Sequence, residues 1–76
     1  MVAQRGNARA TALAGEIRRR LADLGAEALV DDATGAELGV RGTTVTEMAD
    51  CPLVVSVGGD GTFLFVARRV GSTPVM

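Results

Sequence analysis

Leu53-Val54-Val55-Ser56-Val57-Gly58-Gly59-Asp60-Gly61-Thr62-Phe63-Leu64 is the stretch whose reading decides the fold. Residues 53–57 form a short β-branched apolar run, as expected of a strand covered on both faces. Phe63, Leu64, Val66, Ala67 and Val70 then switch to helical spacing, predicting a helix over residues 62–70 with Gly71 as its stop. Between strand and helix lie Gly58, Gly59 and Gly61 around a single carboxylate, Asp60. Glycines allow positive φ and let a ligand approach the main chain. Such a turn faces free helical N–H groups, which attract phosphate. Thr62 is expected to cap the helix and add a hydroxyl donor. The bland alternative, a tight Asp-Gly hairpin turn, lacks a partner strand, because the following segment has helical period.

Working outward toward the amino terminus, Pro52 suits the start of a strand and Asp50-Cys51 leads into it. The clearest helix covers residues 9–24, with Ala10, Leu13, Ile17, Leu21 and Leu24 at spacings of three and four on one face. Gly25 is its stop and Asn7 a candidate cap. Gly15 marks close packing against a strand. Arg18, Arg19 and Arg20 read as a solvated face near the helix carboxyl end, with phosphate contact as the sharper alternative. Met1-Val2-Ala3 is a short or cut first strand. Residues 27–30 read as a second strand, ended by Asp31-Asp32 at the rim where a ligand would bind. Those acids are either a turn with a helix cap or a place to hold a metal or a ribose hydroxyl. A short helix near residues 34–38 and a variable loop follow, interrupted by Gly35, Gly39 and Gly42. Thr44, Thr46 and Glu47 invite capping. Val75-Met76 starts another strand.

Alternating strands and helices predict a parallel α/β sheet with right-handed crossovers. Ligands in such sheets sit outside the carboxyl ends of the strands. The 76 residues allow one small domain. A net charge of −1 offers no broad attraction to nucleic acid or anionic membrane. Every basic residue is Arg, read as coding bias or a salt-tolerant source. Histidine is absent, which removes the commonest general base and most zinc sites. Cys51 is the single cysteine, so no intramolecular disulfide forms. No apolar run nears the roughly 20 residues of a membrane span, and no signal peptide pattern opens the chain. A soluble, cytoplasmic setting is the expectation.

The turn resembles the GGDGT signature of the NAD kinase family, which diacylglycerol and sphingosine kinases share. Phe63-Leu64, Ala67-Arg68 and Pro74-Val75 are similar to the NAD kinase version. The resemblance implies a parallel three-layer Rossmann-like nucleotide-binding half-domain. Residues 1–76 then form its truncated amino-terminal part, without the carboxyl-terminal β domain. It implies phosphoryl transfer from ATP or polyphosphate to the 2′-hydroxyl of NAD, with Mg2+ or another divalent metal brought by ATP, and a full-length homo-oligomer. By resemblance Asp60 acts on the ribose hydroxyl, Asp60 and Gly61 contact the dinucleotide, and Gly58 and Gly59 lie near phosphates. No residue is assigned to metal. A helix amino terminus favours the charged carboxylate, so the work of Asp60 is mainly orientation. Phe65 departs from the family pattern, where a polar residue is usual. The isolated chain is expected to be inactive. The alternatives are a diacylglycerol-type lipid kinase fragment and a non-enzymatic nucleotide-binding module.

Overall fold

A computed structural model describes all of residues 1–76. Strand β1 spans Val2–Ala3 and helix α1 Ala8–Asp23. Helix α2 spans Asp32–Leu38, and a 3-10 helix covers Thr46–Asp50. Strand β2 is Ser56–Val57 and helix α3 Asp60–Val70. The two strands pair in parallel, Val2 opposite Ser56 and Ala3 opposite Val57.

Backbone hydrogen bonds extend this pairing on both sides. Beyond β2, Val54 N–H donates to Pro74 O, and Met76 N–H donates to Val54 O, both at 2.9 Å. The strand start expected at Val75 is thus a parallel bridge to Val54. Beyond β1, Asp31 N–H donates to Met1 O at 3.2 Å, and the Met1 ammonium donates to Leu29 O. Thr43 then bridges to Asp31, again in parallel. The second strand expected over residues 27–30 is therefore corrected. Pairing reaches only the Leu29 carbonyl and the groups after it, and residues 27 and 28 make no ladder hydrogen bond.

Side chains alternate across the sheet, as strand geometry requires. Val2 and Val54 pack with Val66 and Val70 of α3, with Met48 of the 3-10 helix and with Val45 just before it. Ala3 and Val57, with Val55, pack against Ala10 and Ala14 of α1. The apolar run of residues 54–57 thus feeds both faces, whereas Leu53 is exposed.

Helix α1 starts as expected: Asn7 accepts the Ala10 amide at 3.1 Å, satisfying one of the orphan donors of a helix start. Its buried stripe matches the one anticipated only in part: Ala10 is buried and Ile17 and Leu21 are half-buried, but Leu13 and Leu24 are not. Ala10 and Ala14 face the sheet, with Ala14 fully buried, while Leu13 is 48 % and Leu24 81 % exposed. Small residues let the helix come close to the sheet, and Leu13 and Leu24 turn outward. Gly15 packs against Leu38 of α2, not against a strand. The loop after α2 packs closely on the helix it follows. A Cβ on Gly42 would stand 2.5 Å from Asp32 Cα, so the loop passes directly against the start of α2. Thr44 and Glu47 bond each other just before and inside the 3-10 helix, although its N-cap residue is Val45. The Thr44 hydroxyl donates to Glu47 Oε1 at 2.8 Å and accepts the Glu47 amide at 3.3 Å. No helix is long and apolar enough to cross a membrane.

Candidate functional site

The site lies at the carboxyl ends of the parallel segments, where β1, β2 and the Asp31 segment stop side by side. Helix α3 starts two residues earlier than expected, with Asp60 as its first residue and Gly59 as its N-cap. Thr62 is therefore not the cap; it sits inside the first turn, and no side chain caps the helix. The first amides to find an acceptor are those of Thr62 and Phe63, both on Gly59 O. The amides of Gly58, Gly59, Asp60 and Gly61 make no internal backbone hydrogen bond. Four successive free donors at the positive end of a helix form a place for an anion.

The glycines divide into two kinds. Gly58 has φ +148°, and a Cβ there would lie 2.6 Å from Gln4 Cβ. Its glycine is required by the fold, since β1 and the turn touch at this point. Around Gly59 and Gly61 no atom lies within 4 Å of an added Cβ, and neither has positive φ. Nothing inside the protein requires glycine at these two positions. Open space above bare amides is the arrangement that a close-approaching phosphate needs.

Asp60 is exposed, and its carboxylate makes no hydrogen bond. Beside the turn is a cavity of about 620 Å³, within the range of small-molecule sites. Gly61 and Thr62 line it, whereas Gly58, Gly59 and Asp60 do not. Its other walls include Gln4, Arg5, Asp31, Asp32, Thr43 and Thr44. Phe65 and Arg69 also line it, and the Arg69 guanidinium stacks 3.9 Å from the Phe65 ring centroid. The apolar Phe65 thus carries a cation one helical turn further on, a contact worth about 0.5–1 kcal/mol at an exposed site. Sequence reading did not single out Arg5, Arg69 or Gln4. Arg69 had a usable signal, its i+4 spacing from Phe65. Arg18, Arg19 and Arg20 lie outside the cavity, and Arg20 pairs with Glu16 at 3.0 Å.

Asp31 occupies the N-cap position of α2 but makes no capping bond. It is 8 % exposed, and its Oδ1 is buried without a partner. Nearby, burial pushes the Met1 ammonium below the usual α-amino range, partly offset by the negative charge of Asp31. No three His, Cys, Asp or Glu side chains come together to cage a metal ion.

The chain is similar along its whole length to haloarchaeal NAD kinases. It is 56 % identical to an NAD kinase of Halobacterium salinarum over 79 aligned positions. It is 49 % identical to those of Halorubrum lacusprofundi and Natronomonas pharaonis. In each case all of this chain is covered, but only 27–28 % of the NAD kinase. The chain therefore spans less than a third of the length of these curated relatives. No family model matches the chain, and no solved structure matches it. The similarity to NAD kinases accords with the resemblance read from the glycine turn and from Phe63-Leu64 and Pro74-Val75.

Proposed function

We propose that residues 1–76 are the amino-terminal part of an NAD kinase-like α/β domain, and that the protein transfers a phosphoryl group from ATP to the 2′-hydroxyl of NAD, giving NADP. The observation that carries this reading is the run of free amides from Gly58 to Gly61, with bare space over Gly59 and Gly61, in a chain that aligns fully with NAD kinases.

The order of hydrogen-bonded segments supports a Rossmann-like arrangement. From one edge it runs Thr43, Asp31, β1, β2, Val75. In chain order that is 3-2-1-4-5, and α1 and α3 cover opposite faces. Such sheets bind nucleotides where the strand order reverses. Here the reversal falls between β1 and β2, at the Gln4–Gly58 contact.

Phosphoryl transfer asks for positioning and charge stabilisation. In this reading the amides of Gly58, Gly59 and Gly61 hold phosphate oxygens, and Thr62 adds a hydroxyl. The Asp60 carboxylate accepts a hydrogen bond from the 2′-hydroxyl and orients it for in-line attack. As the new P–O bond forms and the bond to the ADP oxygen breaks, the hydroxyl proton passes to Asp60 or solvent. In this reading a magnesium ion comes with the donor's own phosphates and would supply charge neutralisation there. A cytoplasmic setting and a full-length homo-oligomer belong to the same reading, and sizing of the purified protein tests the second.

The test is NADP formation from NAD and ATP by the protein as its gene encodes it. Asp60→Asn is expected to lower kcat by roughly 10²–10⁴ while leaving ATP binding intact. Phosphorylation of diacylglycerol with NAD left untouched would replace this reading with the lipid kinase one.

A further inference from the structure

Strand β1 runs into a four-residue turn, Gln4-Arg5-Gly6-Asn7. Gly6 takes φ +75°, and the Asn7 amide closes the turn on Gln4 O at 3.2 Å. The turn brings the Gln4 and Asn7 side chains together, and helix α1 decides which way each amide points. Asn7 Oδ1 accepts the Ala10 N–H at the helix start. Only the oxygen of the side-chain amide can do this, so Nδ2 is the Asn7 group left to face Gln4. It donates to Gln4 Oε1 at 3.2 Å. The Gln4 oxygen is thus turned to Asn7. Its Nε2 group, with two N–H donors, lies on the other side of the amide and bonds no protein acceptor. Gln4 lines the cavity beside the glycine turn, whereas Asn7 does not. Its side chain lies on Gly58: Gln4 Oε1 and the Thr62 hydroxyl stand 2.9 and 3.1 Å from the point that a Gly58 Cβ would occupy. The Thr62 hydroxyl lines the same cavity. Side chains from β1 and α3 therefore flank Gly58 with protons to offer, beside the free amides of residues 58–61. The complementary group has oxygen acceptors and no donors, as a phosphate does.

We propose that Gln4 donates a hydrogen bond from Nε2 to a phosphate oxygen held at the glycine turn, and that Asn7, outside the cavity, is a positioning residue that sets the polarity of the Gln4 amide. The proposal rests on the phosphate reading of the turn and adds to it a contact from β1. A free glutamine turns either end of its amide to whatever it meets. Here the bond to Asn7 fixes the donating sense before a ligand arrives, which lowers the ordering cost of binding. The same Asn7 side chain starts α1 and orients the phosphate contact, so the two are linked through one amide group.

The test is an NMR titration of the isotope-labelled protein as its gene encodes it, with ATP and separately with NAD, following the side-chain amide protons of Gln4. They are expected to move. Movement with ATP alone assigns the contact to a donor phosphate, and movement with NAD alone to the pyrophosphate of the dinucleotide. No movement with saturating amounts of either overturns the proposal without needing any variant. For the ligand that moves them, calorimetry on Gln4→Met is expected to show roughly tenfold weaker binding, and Gln4→Glu a larger loss. Asn7→Ser keeps a capping oxygen, and with it the melting temperature. It loses the donor to Gln4 and is expected to weaken the same ligand roughly threefold, which loss of a cap alone would not do. Unchanged affinity in Gln4→Met overturns the phosphate contact, and unchanged affinity in Asn7→Ser overturns the positioning role. If binding depends on Gln4 but no NADP forms, the NAD kinase reading fails and the phosphate contact stands. If NADP forms while the Gln4 amide stays unmoved, the kinase reading stands and this proposal falls.

Discussion

The Ala3 amide donates to the Thr34 hydroxyl at 3.1 Å, across 31 residues of sequence. On its other side β1 donates from Val2 and Gln4 to Val55 and Val57 of the neighbouring segment. Toward Asp31, the chain turns into α2 just where Ala3 needs an acceptor. Thr34, itself 2 % exposed, supplies the oxygen that a longer strand would have provided. Thr34→Val keeps the shape and leaves the Ala3 amide unpaired. It is expected to cost about 1–3 kcal/mol, read from urea unfolding, whereas Thr34→Ser keeps the bond and loses less.

The face of α1 that meets the sheet is made of alanines. Leu13→Gln is therefore expected to change stability by less than about 0.5 kcal/mol. Ala14→Leu inserts bulk into a fully enclosed position against Ala3 and Val57, at a cost of about 1–3 kcal/mol. Thermal unfolding of the two variants distinguishes a buried Ala14 from the buried Leu13 that sequence spacing suggested.

The three glycines of the turn should separate cleanly. Gly58→Ala meets Gln4 Cβ and an unfavourable φ, and should lower the melting temperature. Gly59→Ala and Gly61→Ala meet nothing. Their folded state should survive, and Gly61→Ala should gain up to about 1 kcal/mol from helix propensity. If the bare amides serve phosphate, the same two variants weaken ATP binding. Unchanged binding in both would remove phosphate approach as the reason for glycine there.

Hydrogen bonds from the Thr44 side chain first, then from Thr43 and the Thr44 backbone, hold the Glu47 carboxyl below its usual value. A depressed carboxylate pKa stabilises the fold above the usual carboxylate range, and that contribution is lost as pH falls through the folded value. Thr44→Ala should return Glu47 toward the ordinary range, as followed by carboxyl-carbon NMR titration. The effect on global stability should be small, because the side chain is fully exposed.

Local chemistry made much of this legible in advance. The run from Leu53 to Leu64 announced a strand, a glycine turn and a helix. Asn7 capped α1, Thr44 met Glu47, and Gly71 followed the end of α3, because each depends on contacts within a few residues. The quantities that sequence spacing misjudged depend on distant partners. Leu13 and Ala14 differ by one position, and only the approach of the sheet decides which is buried. Residues 27–30 have strand-like composition, but a ladder needs a neighbour, and β1 offers one only from Met1 onward. Gly58 and Gly59 look alike in sequence, and the packing of Gln4 alone separates a glycine the fold requires from one left bare. The same holds for the candidate site. Asp60 and its glycines follow from a contiguous motif, whereas the burial of Asp31 and the cavity it shares with Thr62 and Arg69 arise only when segments 30 or more residues apart are brought together. Short-range propensity is written in neighbouring residues; burial and the pairing of polar groups are properties of the assembled sheet.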